Sequence, residues 1–202
     1  MCHKLDPKFF SELARMDPRD VCGRSLATYD HERKVYRVTA LEREYEVNPA
    51  ANEVMAVDPD EGPISVEMGL LLVFYLLRAV DVPLSGKWIG EFDIKGGERF
   101  FRGPHAVRNP EVAEKFGHDP EGFGKACEKL GGTPEDMGDA AYRIRVLPRV
   151  PLIVLLWMAD DEFEASAKTL MDSTVDQHLP LDIIFGMLLE VLGKIVGRVL
   201  WH

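Results

Sequence analysis

Cysteine is scarce. The 202 residues hold three, Cys2, Cys22 and Cys127. An odd number so widely spaced is no disulfide framework, and it suits a reducing cytoplasm. No CxxC pair occurs, which argues against a self-contained zinc or iron–sulfur site. Cys2-His3 offers two metal ligands but no others nearby. Basic residues are also in deficit, with 24 Lys and Arg against 34 Asp and Glu, a net charge of −10. Phosphate backbones are bound by basic faces, so nucleic acid is not an expected partner. Arg143, Arg145 and Arg149 form only a local basic run, read here as a solvated strand face. The opening MCHKLDPKFF shows no apolar core and no cleavage signature, so no secretory signal is read there. Internal repeats and low-complexity segments are missing. So are GxSxG, HExxH, P-loop, GxGxxG and kinase-type motifs. The acidic DPDEGP at 58–63 lacks the alternation of an EF-hand and reads as a turn.

The positive signals are structural. At 46% hydrophobic and 29% charged, the chain suits a globular protein of one domain, residues 1–202. Asp6-Pro7 and Asp17-Pro18 each join a capping acid to a proline suited to a first helical position. Phe9, Phe10 and Leu13 between them have helical spacing. Residues 34–57 alternate like strands, with a turn at 48–52, and predict an antiparallel meander. ISVEMGLLLVFYLLRAV, 64–80, predicts a core helix; its charges make it a poor membrane span. Two aromatic runs flank Lys95-Gly96-Gly97 within 88–102 and predict a β-hairpin. Residues 104–140 read as an irregular insertion or lid with helical pieces near 110–117 and 119–130. AYRIRVLP alternates, PLIVLLWMA is apolar throughout like a central strand, and FEASAKTLM returns as its partner.

The last segment, LDIIFGMLLEVLGKIVGRVL at 181–200, places Asp182, Gly186, Glu190, Lys194 and Arg198 four apart on one stripe of a helix. Glu190 and Lys194 are oriented for an ion pair. Gly193 and Gly197 together would let another element approach. The fold class expected is α+β, a mostly antiparallel sheet with two long apolar helices on one face.

"SGKWIGEFDIKGGERFF", "RVPLIVLLWMADDEFEASAKTLMDSTVDQHLPLD" and "LATYDHERKVYRVTALEREYEV" together resemble domain of unknown function 3786, over roughly residues 20–195. That family occurs mainly in anaerobic bacteria and archaea, and some members carry an additional cysteine-rich iron–sulfur domain of the type found in corrinoid proteins. The chain lacks that cysteine cluster. The resemblance implies an anaerobe's cytoplasm and a role beside metal or tetrapyrrole cofactors. It brings no catalytic residues.

Candidate sites are local. Asp160, Asp161 and Glu162 fall at one end of the returning strand and Asp172 at the other, roughly 30 Å away at 3.3 Å per residue. Asp172, Asp176 and His178, with Asp182, are the candidate metal set, since carboxylate and imidazole suit zinc or iron. The structural alternative makes Pro180 the first residue of a helix, Asp182 a partner of its dipole, and Asp172 and Asp176 turn caps. It leaves His178 unexplained. Trp88, Phe101 and His105 are the candidate cofactor-binding set, with His105 an axial ligand or proton carrier in an apolar pocket. Cys22 has no partner that would make it a nucleophile.

The chain therefore reads as a cytoplasmic binding or accessory protein for a small-molecule ligand or a protein partner. By resemblance alone, it is linked to metal or tetrapyrrole (corrinoid, haem) cofactor metabolism. No motif indicates a cofactor, and neither nucleic acid nor a membrane is an expected partner. Two other readings stand beside it. One is an enzyme with a pocket near the aromatic hairpin. The other is an interaction protein that forms a homodimer through its apolar helices.

Overall fold

The computed structural model describes residues 5–58 and 63–198. Both Asp-Pro pairs start helices. Helix α1 spans Pro7–Leu13 and α2 spans Pro18–Ser25. The Asp6 carboxylate accepts from the Lys8 amide and Asp17 from the Arg19 amide, both at 2.9 Å. Strands β1 (Thr28–Asp30), β2 (Val35–Ala40), β3 (Arg43–Asn48) and β4 (Glu53–Ala56) follow as an antiparallel meander in chain order. Leu41 and Glu42, both at positive φ, close the β2–β3 turn. Helix α3, Val66–Arg78, is capped by Ser65, whose hydroxyl accepts from the Met68 amide at 3.0 Å.

After α3 come β5 (Trp88–Ile89), α4 (Gly97–Phe100), α5 (Asn109–Phe116), α6 (Pro120–Glu128) and β6 (Thr133–Pro134). Strands β7 (Ala140–Leu147), β8 (Val150–Trp157) and β9 (Ser166–Asp172) lead to α7 (Val175–His178) and α8 (Leu181–Val196). The second sheet has the order β5-β9-β8-β7-β6, and every pairing in it is antiparallel.

The α+β class expected from sequence is observed, but the strands fall into two sheets rather than one. The two share a core. Tyr36, Val38, Tyr45 and Val47 from the first sheet, and Ile144, Val146, Leu152 and Val154 from the second, join one buried cluster with α3 and α8. The Leu41 amide donates to the Val146 carbonyl at 3.1 Å, where the sheets meet. Strand β8 is buried from Val150 to Leu156, as its unbroken apolar run requires. Leu152, Val154 and Leu156 face the main core. Ile153 and Leu155 face the other side, where Trp88, Met137 and Leu170 pack on them.

The predicted hairpin at 88–102 does not form. Only Trp88 and Ile89 are strand, and they pair with β9. A 3-10 turn at Glu91–Asp93 and the short α4 take the remainder. Gly-Gly serves close packing instead of a hairpin turn: a Cβ on Gly97 would lie 2.0 Å from the Glu91 carbonyl oxygen. Gly96 adopts φ +82 to cap α4. The helical pieces expected near 110–117 and 119–130 within the 104–140 stretch are α5 and α6. Their Val112, Phe116, Phe123 and Cys127 belong to the main core.

Helix α8 starts at Leu181, one residue later than expected, with Pro180 at the cap and Asp182 in the first turn. Gly197 is the helix terminator and not a packing site. It takes φ +73, and the Arg198 amide donates back to the Gly193 carbonyl at 2.7 Å. The expected extension to residue 200 lies outside the described residues. Among the described residues, no helix is long and apolar enough to cross a membrane.

Candidate functional site

Asp172 ends β9 and is buried. Its carboxylate accepts five hydrogen bonds: from the Ser85 amide (3.1 Å) and hydroxyl (3.0 Å), the Gly86 amide (2.8 Å), and the Thr174 amide (3.0 Å) and hydroxyl (2.8 Å). Burial pushes this carboxyl up, but the donors of Thr174, Ser85 and Gly86 outweigh it and hold it below the usual carboxylate range. Asp172 is thereby spent on tying the 84–87 segment to the strand end.

His178, in α7, is fully buried. The Val80 amide donates to its Nδ1 at 3.3 Å, so the neutral ring carries its proton on Nε2, which meets no hydrogen-bond partner. Burial pushes its pKa down, and the Arg149 charge adds to this against weaker pulls from Asp172 and Asp176. Asp176 is exposed. The three residues are near in sequence without converging. Among the described residues, no group of three or more His, Cys, Asp or Glu is placed to hold a metal.

Trp88, Phe101 and His105 are likewise dispersed. Phe101 is buried in the main core, whereas Trp88 packs in the second cluster on the far side of the five-stranded sheet. His105 is exposed and stacks on Phe100, ring centres 4.6 Å apart, with Phe185 edge-on at 5.2 Å. The aromatic hairpin that would have gathered them is the element that does not form. Trp88 does line a cleft of about 450 Å³ together with Arg143, Arg145 and Asp172. Its arginines form ion pairs, Arg143 with Glu135 at 3.1 Å and Arg145 with Glu42 at 3.5 Å, so each cation there already faces a carboxylate in the same way as Lys125 and Arg198 do elsewhere.

The third arginine of the basic run has an internal task. Arg149 donates to the carbonyls of Arg24 (2.8 Å) and Val82 (3.1 Å) and pairs with Asp81. Its charge lies at the C-terminal end of α2, where helix carbonyls are unsatisfied. The cysteine thiols are not poised as nucleophiles. Burial raises Cys22, and it pushes Cys127 to about 12.

Another concavity lies elsewhere. A cleft of about 510 Å³ opens where β3, β4, the start of α3, the ends of α5 and α8, and α6 come together. Its walls are apolar at Tyr45, Ile64, Met68, Phe116, Leu130 and Ile195. Among the described residues, six cationic side chains line it, Arg43, Lys115, Lys125, Lys129, Lys194 and Arg198, against one lining carboxylate, Glu190. Glu190 is buried and already neutralised: it accepts from the Ser65 hydroxyl at 2.7 Å and pairs with Lys194 at 3.1 Å. Lys115 is turned onto the Val196 carbonyl at the end of α8, at 2.7 Å.

Sequence reasoning missed this cleft. It identified the Glu190–Lys194 pair but not Ser65, which reaches Glu190 across 125 positions. The available signal was the spacing of four shared by Lys125 and Lys129 and by Lys194 and Arg198.

The profile of the family described as domain of unknown function (DUF3786) matches residues 17–192. The chain belongs to this family. The match runs from the cap of α2 to within the last turns of α8. It thus takes in both sheets and most of the cleft, including Ser65 and Glu190. No curated protein and no solved structure matches the chain.

Proposed function

We propose that the protein is a binding or accessory protein that holds a small organic anion in the cleft between α3, α6 and α8. One observation carries this reading: among the described residues, six cationic side chains line one apolar cleft whose one lining carboxylate, Glu190, is internally neutralised, on a chain whose net charge is −10. Against that background charge, such a cleft concentrates positive potential and draws in anions. Its volume suits a drug-sized or cofactor-sized ligand, within the range of about 300–1,000 Å³ usual for such sites.

Tetrapyrroles, whether corrinoid or haem-like, meet this chemistry, with an apolar macrocycle edged by acid groups. They also agree with the cofactor setting that the sequence resemblance implies. Among the described residues the lining contains neither His nor Cys, and its cations and apolar walls suit a ligand held through its acid groups and its ring. A protein of this kind stores, carries or presents the cofactor to a partner in the cytoplasm.

A thermal-shift screen of small organic anions at low salt tests the reading. A ligand at 100 times its dissociation constant stabilises by about 2.7 kcal/mol, which for this chain length raises the melting temperature by roughly 5–10 °C. At least one apolar anion should do so, and Lys125→Glu/Lys129→Glu should abolish the shift. A screen in which no anion shifts the wild type overturns the proposal.

A further inference from the structure

The geometry points to a ligand with at least two acid groups on an apolar frame, an inference that rests on the cleft being an anion site. Lys125 and Lys129 stand one turn apart on α6. Lys194 lies in the last turn of α8, and Arg198 just beyond its cap. All four line the same cleft. Residues four apart on a helix present their side chains about 6 Å from one another. Lys125 and Lys129 therefore make one doubly cationic spot on α6, and Lys194 with Arg198, which follows the left-handed cap Gly197, supplies a second cationic edge at the end of α8. A ligand with one acid group fills one spot and leaves the other unused. A ligand with two or more reaches both, with its body over Met68, Leu130 and Ile195.

The present partners of these cations do not hold them back. Lys125–Glu121 and Arg198–Glu111 are solvent-exposed pairs, worth about 0–1 kcal/mol and readily exchanged. Lys129 has no ion-pair partner among the described residues. Lys194 serves Glu190 with one of its three donors and has two remaining.

Isothermal titration calorimetry with four probes tests this: naphthalene-1,4,5,8-tetracarboxylate, 2-naphthoate, tripolyphosphate and a nucleoside triphosphate. The tetracarboxylate should bind the wild type about tenfold or more tighter than 2-naphthoate, because a second contact is made intramolecularly. Lys125→Gln/Lys129→Gln and, separately, Arg198→Gln should each weaken it several-fold, since both spots contribute. These side chains are exposed, and an unchanged melting temperature confirms an intact fold. A nucleoside triphosphate that outbinds both the tetracarboxylate and bare tripolyphosphate supports the inference and assigns its acid groups to phosphate. Equal affinity for 2-naphthoate and the tetracarboxylate overturns the inference while leaving the anion site in place. No binding by any probe overturns both.

Discussion

The amide of Val80, at the exit of α3, donates to Nδ1 of His178 at 3.3 Å, joining two residues 98 positions apart. This bond explains the histidine that capping alone did not. It is a fully buried acceptor for the half-buried backbone amide just past a helix end. Its pKa is held down in the fold by burial and by the Arg149 charge. The unfolded chain therefore binds a proton near pH 6.5 that the folded chain resists. This contribution to stability is full above about pH 6.5 and is lost as the pH falls below it. Urea unfolding of the wild type and of His178→Gln between pH 8 and pH 5 should show the stability difference shrinking on acidification. Parallel curves would contradict the assignment.

Asp172→Ala leaves Ser85, Gly86 and the buried Thr174, in two segments, without their acceptor. Five hydrogen bonds converge on this carboxylate. The loss should be about 2–4 kcal/mol in chemical denaturation, with Asp172→Asn less damaging because one acceptor oxygen remains. The carboxyl is held below its ordinary pKa, so its contribution is present above about pH 4 and disappears as the pH falls through the folded value. A loss below about 0.5 kcal/mol for the alanine variant would mean that the 84–87 segment is not anchored there.

Two glycines should respond with opposite sign. At Gly97 an added Cβ would meet the Glu91 carbonyl at 2.0 Å, a backbone atom that cannot swing aside. Gly97→Ala should destabilise by about 2 kcal/mol or more. At Gly186, inside α8, the nearest atom to an added Cβ is Glu67 Cγ at 3.8 Å, an ordinary contact. Gly186→Ala should stabilise by up to about 1 kcal/mol through helix propensity. Melting temperatures of the two variants, measured side by side, decide the matter.

The elements were more legible in the sequence than their assembly. Asp6-Pro7, Asp17-Pro18 and the apolar run of β8 declared themselves because their signals are local: a cap, a fixed φ and a period. Gly96-Gly97 misled because two glycines permit either a hairpin turn or a close backbone approach. The choice is made by Glu91, whose carbonyl needs the space. That the strands form two sheets depends on Leu41 meeting Val146, a contact across 105 positions that no period encodes. The candidate sites were read from nearness in sequence, which does not fix nearness in space. Asp172, Asp176 and His178 are close in sequence but turn to different neighbours, Asp172 to Ser85 and His178 to Val80. The cleft is assembled from six elements, and its charge pattern appears only once α6 and α8 lie side by side.

The central claim is that this cleft is where an organic anion binds. A two-dimensional ¹H–¹⁵N spectrum recorded during titration with naphthalene-1,4,5,8-tetracarboxylate tests it most directly. Resonances of Ser65, residues 125–130 and residues 190–198 should move saturably, while those around Trp88, Arg143 and Arg145 stay in place. Saturable shifts centred on Trp88, or none above those produced by matched salt, would contradict the account.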